Sequence, residues 1–180
     1  VGSAGSLLTV EQFGTVAWKS MKAAFMLCTN MQFAPTVDTP DLRNVTDMEN
    51  MFMFCSAFNQ NLGSWKLNKC TNLGLKQCGM SRKNYSKSLE GWAAQADINE
   101  KLLLDADGLY FNEAAASART KLIKEKKWKI SGDKIVMNLL QVGGVTLTTG
   151  NINSFQEKLT SAGVLKKGKV SVTLEDEKIV

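Results

Sequence analysis

An internal repeat in the first half constrains this chain more than any other feature. Met21-Lys22-Ala23-Ala24-Phe25-Met26-Leu27-Cys28-Thr29-Asn30-Met31 aligns, 27 residues on, with Met48-Glu49-Asn50-Met51-Phe52-Met53-Phe54-Cys55-Ser56-Ala57-Phe58. Met, Phe, Cys and a large apolar residue recur at matching places. The frame Val45-Thr46-Asp47-Met48 returns 25 residues later as Cys70-Thr71-Asn72-Leu73, and Leu75 and Cys78 continue a degraded third copy. Units of about 20–29 residues, with apolar side chains at fixed places and small polar residues at the bends, build leucine-rich-repeat-like solenoids. Each coil supplies one short strand, and equivalent apolar side chains stack in columns. A single coil cannot bury its own face, so so few copies predict capping structures at both ends or further repeats outside the chain.

The residues that carry the repeat also carry a family resemblance. Asn44-Val45-Thr46-Asp47-Met48-Glu49-Asn50-Met51-Phe52, followed by Ser56-Ala57-Phe58-Asn59-Gln60-Asn61-Leu62-Gly63-Ser64-Trp65-Lys66-Leu67, resembles the repeat of BspA-like bacterial surface proteins, also described as DUF285. Phe13-Gly14-Thr15-Val16-Ala17-Trp18-Lys19-Ser20-Met21 and Asp38-Thr39-Pro40-Asp41-Leu42 are similar to segments that introduce such arrays. Tyr85-Ser86-Lys87-Ser88-Leu89-Glu90-Gly91-Trp92-Ala93, Gly108-Leu109-Tyr110-Phe111-Asn112 and Trp128-Lys129-Ile130-Ser131-Gly132-Asp133 resemble the segments that close them. The resemblance covers residues 7–133. It departs where Cys70 replaces the usual Val and where residues 74–80 lose the Met-Phe signature, which leaves the geometry of the third copy open.

After the repeats, Asn84 reads as the cap of a short helix running through Gln95, anchored by Leu89 and Trp92. A longer helix follows. Asn112 is its N-cap candidate, Ala115, Ala118 and Leu122 fall on one face, and Lys124, Lys126 and Lys127 crowd its last turn. Trp128 and Ile130 then alternate with Lys129 and Ser131 as in a half-buried strand. Beyond a boundary at Gly132-Asp133, strands are expected over 134–141 and 145–149, separated by Gly143-Gly144. Ser154-Phe155-Gln156-Glu157 is a capping box opening a helix that ends near Gly163, and residues 169–175 alternate as a last strand. The fold class expected is therefore α/β, a short leucine-rich-repeat-like solenoid with helix-strand caps plus a small α+β C-terminal segment. Its divisions are 1–83 for the repeats and their lead-in, 84–133 for the cap, and 134–180 for the C-terminal segment, which is too small to supply a core alone.

Composition excludes several chemistries. The chain of 180 residues has no histidine, which removes Ser-His and Cys-His nucleophilic systems and His-containing zinc sites. The formal charge of +5 comes largely from lysines at 121–129 and 166–169. The only arginines, Arg43, Arg82 and Arg119, are scattered, so a solvated charged face is preferred over a nucleic-acid surface. No apolar run approaches the roughly 18–20 residues of a membrane span. Val1-Gly2-Ser3 begins without Met or a basic, then apolar, leader, the pattern of a processed chain or a piece of a longer one.

Cys28 and Cys55 are repeat-equivalent, so in a solenoid they are column neighbours at a spacing that a disulfide bridges, and an oxidising compartment favours that bond. The plainer reading, preferred here, makes them small buried hydrophobes. Zinc is disfavoured because Cys70 and Cys78 form no C-x-x-C pair. Asp105-Ala106-Asp107-Gly108 hints at a calcium loop, but setting Gly108 at the sixth position puts Leu103 and Ala114 where acidic ligands belong. A turn before a strand is the better reading. Asn44-Val45-Thr46 and Asn84-Tyr85-Ser86 match the N-glycosylation pattern, discounted in a bacterial-looking repeat. Met48, Met51, Phe52 and Phe58 recur with the repeat and are read as core columns rather than as a ligand groove.

The expectation for function is a non-enzymatic, cell-surface or secreted module for adhesion or recognition, with a protein or glycan ligand and no catalytic residue, metal or cofactor. Thr46, Lys66, Asn68 and Thr71 are the candidate ligand-facing residues. A second reading is a structural subunit of a surface, appendage or virion assembly that docks through residues 134–180, adding its last strand to a neighbour's sheet. A third, an enzyme with paired carboxylates, lacks a motif.

Overall fold

A computed structural model describes residues 4–136, together with the backbone of 140–142 and 145–147. The chain divides into two compact units, Val1–Val136 and Met137–Val180. Each is described by itself. The described residues of both contain short strands, and the only two α-helices among the described residues lie in the first unit.

In the first unit a 3-10 turn at Ala4–Ser6 precedes β1 (Thr9–Val10), β2 (Gln32–Phe33), β3 (Asp47–Met48), β4 (Asn72–Gly74) and helix α1 (Arg82–Ala94). Then come β5 (Leu103–Asp105), β6 (Tyr110–Asn112), a 3-10 turn at Glu113–Ala115, helix α2 (Ala116–Lys124), β7 (Lys129–Ser131) and β8 (Lys134–Val136). All strand pairs of this unit are parallel. β3, β4, β5 and β7 form one four-stranded sheet in that order, while β1 pairs with β2 and β6 with β8. The fold is thus mixed α/β, with few helices and small parallel sheets. Parallel neighbours need a long return path, and here α1 lies on the path from β4 to β5.

Repeat equivalence in the sequence becomes hydrogen bonding in space. The N–H groups of Met21, Ala23, Phe25 and Leu27 donate to the carbonyls of Asp47, Glu49, Met51 and Met53. Phe52 and Phe54 donate in turn to Gly74 and Lys76, and Leu75 and Gln77 to Asp105 and Asp107. The ladder therefore continues through the bends that follow each strand, satisfying backbone groups that burial would otherwise penalise. Backbone handedness repeats too. Leu27, Phe54 and Gln77 all have positive φ, 66°, 60° and 49°, and Gly108, stacked on Gln77, has 85°. Only at Gly108 does the residue type suit that conformation without a Cβ penalty.

The third copy is intact but shorter. From Met21 to Cys28 and from Met48 to Cys55 is seven residues, whereas from Leu73 to Cys78 is five. The missing pair corresponds to the bend at Asn50 (φ 56°), which folds over Gly74 instead. A Cβ on Gly74 would overlap the Asn50 backbone, and one on Gly79 would overlap the Ser56 carbonyl. Two glycines thus let the shortened copy stack on its neighbour: the bend is deleted, and Gly74 and Leu75 fill the places of Met51 and Phe52. The same short form recurs unrecognised at Leu104, Ala106 and Leu109, all buried.

The core fills the space behind the strands. Met48, Met51, Phe52 and Phe58 are fully buried, as core columns require. Phe52 and Phe58 stack at 4.1 Å between centroids, and Phe13, Phe25, Phe33 and Trp65 extend the cluster edge-to-face or stacked. Aromatic pairs at such spacings contribute beyond their buried area. Leu89 and Trp92 anchor α1, and Ala115, Leu122 and Trp128 are buried with Ala118 and Ile130 packed at the margin.

Both helix starts differ from expectation, and α2, expected to be the longer helix, has 9 residues against 13 in α1. Ser81, not Asn84, opens α1, and its side chain accepts from the Asn84 N–H. The Asn84 amide instead donates to the backbone and side-chain oxygens of Asn59, a tie across repeats that sequence periodicity does not register. Asn112 does precede the 3-10 turn in extended conformation, but its side chain makes no capping bond.

In the second unit, β9 (Leu140–Val142) pairs antiparallel with β10 (Val145–Leu147), Val142 opposite Val145. The helix expected from Ser154 and the strand expected over 169–175 lie outside the described residues. Among the described residues no helix is long and apolar enough to cross a membrane.

Candidate binding groove on the four-stranded sheet

Strand alternation sends every second residue of β3, β4, β5 and β7 inward, where Met48, Leu73, Leu104 and Ile130 stand in register. The residues between them face outward in two rows. One row reads Asp47, Asn72, Leu103, Lys129, and the other contains Gly74, Asp105 and Ser131, with Glu49 following Met48 at the β3 end. Rows two residues apart are separated by roughly 6.6 Å, with inward-residue backbone as the floor between them. A cavity of about 420 Å³ occupies this position, lined by these residues apart from Asp47 and Met48, together with Asn50.

The groove is electrically uneven. At its β3 end, Lys22 reaches both Glu49 and Asp47, the latter at 3.8 Å. The hydrogen bond to Glu49, then the charges of Glu49 and Asp47, raise the Lys22 pKa above its ordinary value. Asp47 also accepts from the Glu49 N–H at 2.9 Å, which fixes the turn. In the middle, Asp105 accepts from the Asp107 N–H at 3.2 Å, and Asp107 lies 3.7 Å from Lys76. At the β7 end, Lys129 is exposed beside Leu103, itself 46% exposed. Lys101 and Lys127 lie two residues before these two, with the Lys101 N–H bonded to the Lys126 carbonyl.

The sequence-predicted residues lie elsewhere on the surface. Thr46 and Thr71 come together, the Thr71 hydroxyl donating to the Thr46 carbonyl at 2.9 Å. Asn68 donates to Asp97 at 2.6 Å, a bond that, ahead of the nearby charges of Lys66 and Lys126, lowers the Asp97 pKa. Lys66 is exposed. None of the four lines the groove. Sequence periodicity does not single out Glu49, Asn72, Leu103, Asp105, Lys129 and Ser131, because it does not mark β5, the third strand of the sheet, as a further copy of the repeat. The alternation of Leu102, Leu104 and Ala106, matching Leu73 and Leu75, was the signal available.

The four cysteines are buried and free. Cys28, Cys55 and Cys78 occupy matching places in three successive copies, and the Cys55 thiol donates to the Phe25 carbonyl at 2.8 Å. Burial pushes the Cys55 and Cys70 thiols up to about 12 and Cys78 to about 11. Such groups are packing elements rather than nucleophiles.

Residues 19–127 match a family model described as a Mycoplasma protein of unknown function, DUF285. No curated protein and no solved structure matches the chain. The matched stretch runs from the first copy of the repeat through α2 and covers more than half of the sequence, so the chain belongs to the DUF285 family.

Proposed function

We propose that this chain is a non-enzymatic recognition module, displayed on a cell surface or secreted, whose successive parallel strands are the coils of a short leucine-rich-repeat-like solenoid. The hydrogen-bonded equivalence of successive copies, the matching left-handed bends and the stacked aromatic core support the solenoid reading. The observation that carries the functional reading is the groove across β3, β4, β5 and β7. It presents one exposed apolar side chain among acidic, basic and amide groups on a backbone fixed by four strands. Binding sites combine a shaped concavity with a few placed polar groups in this way, and a parallel sheet holds them with little freedom to lose on association. The ligand class is a protein or a glycan, and adhesion is the role such a module serves.

The test is a binding panel of purified cell-surface proteins and glycans against the full chain and a Leu103→Asp, Lys129→Glu variant. A ligand held by the parent chain and lost by the variant is expected. Ligands that bind both chains equally place recognition outside the groove and sink this reading.

A further inference from the structure

We infer that the groove takes an extended peptide segment in which an apolar side chain is flanked by an acidic residue on one side and a basic residue on the other. The inference rests on the recognition reading above and narrows its ligand class.

Charge complementarity carries the argument. Leu103 is the apolar centre, and in register beside it stands Lys129. Lys101 and Lys127, two residues before these, are exposed as well, the Lys127 ammonium group donating to the Lys124 carbonyl at 2.7 Å. Among the described residues, neither Lys101 nor Lys129 has a carboxylate within ion-pair distance. Adjacent parallel strands lie about 4.8 Å apart, so Lys101 and Lys129 give this end of the groove a positive potential that draws an anionic group. On the other side of Leu103 the polarity reverses. Asp105 lies two residues along the same strand, and Glu49 and Asp47 share the single ammonium group of Lys22. An apolar side chain seated on Leu103 therefore has these lysines at one hand and a carboxylate row at the other.

The size fits a short segment. Four strands at about 4.8 Å spacing give a groove of roughly 14 Å between its outer strands, about four residues of extended chain at about 3.3 Å each. The lining holds no aromatic side chain. Rings to stack on are the usual means of holding a flat apolar ligand face, so a saccharide ring finds no platform here, while an aliphatic side chain finds Leu103.

The experiment measures fluorescence anisotropy of labelled peptides with the full chain. The probe contains Glu-Leu-Lys, the neutral control Gln-Leu-Gln, and heparin serves as a polyanion competitor. The expected result is saturable binding of the charged probe and at least tenfold weaker binding of the neutral control. Leu103→Ala and Lys129→Glu should each weaken the charged probe about tenfold, and salt raised from 0.05 to 0.3 M should weaken it further. Thr46→Ala and Thr71→Ala should leave it unchanged. Circular dichroism melts check that each variant folds, and the exposure of Leu103 and Lys129 makes both substitutions mild. Equal affinity for neutral and charged peptides overturns the inference. Heparin binding that ignores Leu103→Ala, without peptide binding, overturns it as well and identifies a polyanion surface. In either case the recognition reading remains subject to its own panel, so the two fail separately.

Discussion

Arg119 grips Asp133 through two parallel hydrogen bonds, Nε to Oδ2 and a terminal guanidinium nitrogen to Oδ1, both at 2.7 Å. The Asp133 side chain is fully buried, and the Tyr85 hydroxyl donates to the same carboxylate at 2.9 Å. Arg119 also lies 5.3 Å from the Phe111 ring centre. One carboxylate thus joins α1, α2 and the bend between β7 and β8. Removing one partner of a buried, doubly bonded pair strands the other charge, at a cost of about 3–5 kcal/mol. Arg119→Met should approach that loss and Tyr85→Phe should cost about 1–2 kcal/mol, both read from urea midpoints. Losses below about 0.5 kcal/mol for both would show that Asp133 is solvated.

Phe52 sits in the centre of the aromatic cluster, fully buried and stacked on both Phe25 and Phe58. Phe52→Ala should destabilise by about 3–5 kcal/mol, and Phe52→Leu by less, because the smaller volume change leaves a smaller cavity. Thermal or chemical unfolding of the two variants checks the order.

The shortened third copy depends on its two glycines. Gly79→Ala should destabilise by about 1–3 kcal/mol through overlap with the Ser56 carbonyl. Gly5→Ala, where the new methyl meets only the Thr29 hydroxyl at 3.8 Å, should be nearly silent. If both substitutions were equally tolerated, the stacking of the third copy on the second would be looser than described.

The buried thiols should resist alkylation at pH 8 in the native state and react rapidly once the chain is unfolded, as followed by mass spectrometry. They also predict alkaline instability. Cys55 and Cys70 are raised from about 9 in the unfolded chain to about 12 when folded. Between those values the unfolded state has released protons that the folded state keeps. Stability is therefore full below about pH 9 and falls as pH rises toward 12, each thiol contributing about 1.4 kcal/mol per pH unit across its window. A double Cys55→Ala, Cys70→Ala variant should show a flatter decline in urea midpoint above pH 9 than the parent.

Ser81→Ala removes the side-chain cap of α1 and should cost about 1 kcal/mol. Asn84→Ala should also destabilise, because its amide holds Asn59, whose own side-chain oxygen accepts the Ser81 N–H at 2.8 Å. A double-mutant cycle should find the two sites coupled, since Asn59 is shared.

Much of this architecture was legible in the sequence because it is local or periodic. Met, Phe and Cys at fixed intervals named the core columns, Leu89 and Trp92 named the anchors of α1, and Ile130 named the inner residue of β7, with Trp128 buried just before it. Periodicity reads the spacing of side chains along one stretch of chain. It does not read register between stretches when their lengths differ, and here the copies are separated by 27, 25 and 31 residues at Met21, Met48, Leu73 and Leu104. The two-residue deletion after Leu73 and the insertion of α1 before β5 hide that equivalence, and only backbone hydrogen bonding restores it. That bonding placed Leu103 beside Lys129, made Gly74 the seat of the Asn50 bend, and moved the candidate site away from Thr46, Lys66, Asn68 and Thr71. The sequence by itself determined which side chains are core, since that follows from hydrophobicity and spacing. The tertiary structure decided which outward residues face one another, because that depends on the register of strands far apart in the chain.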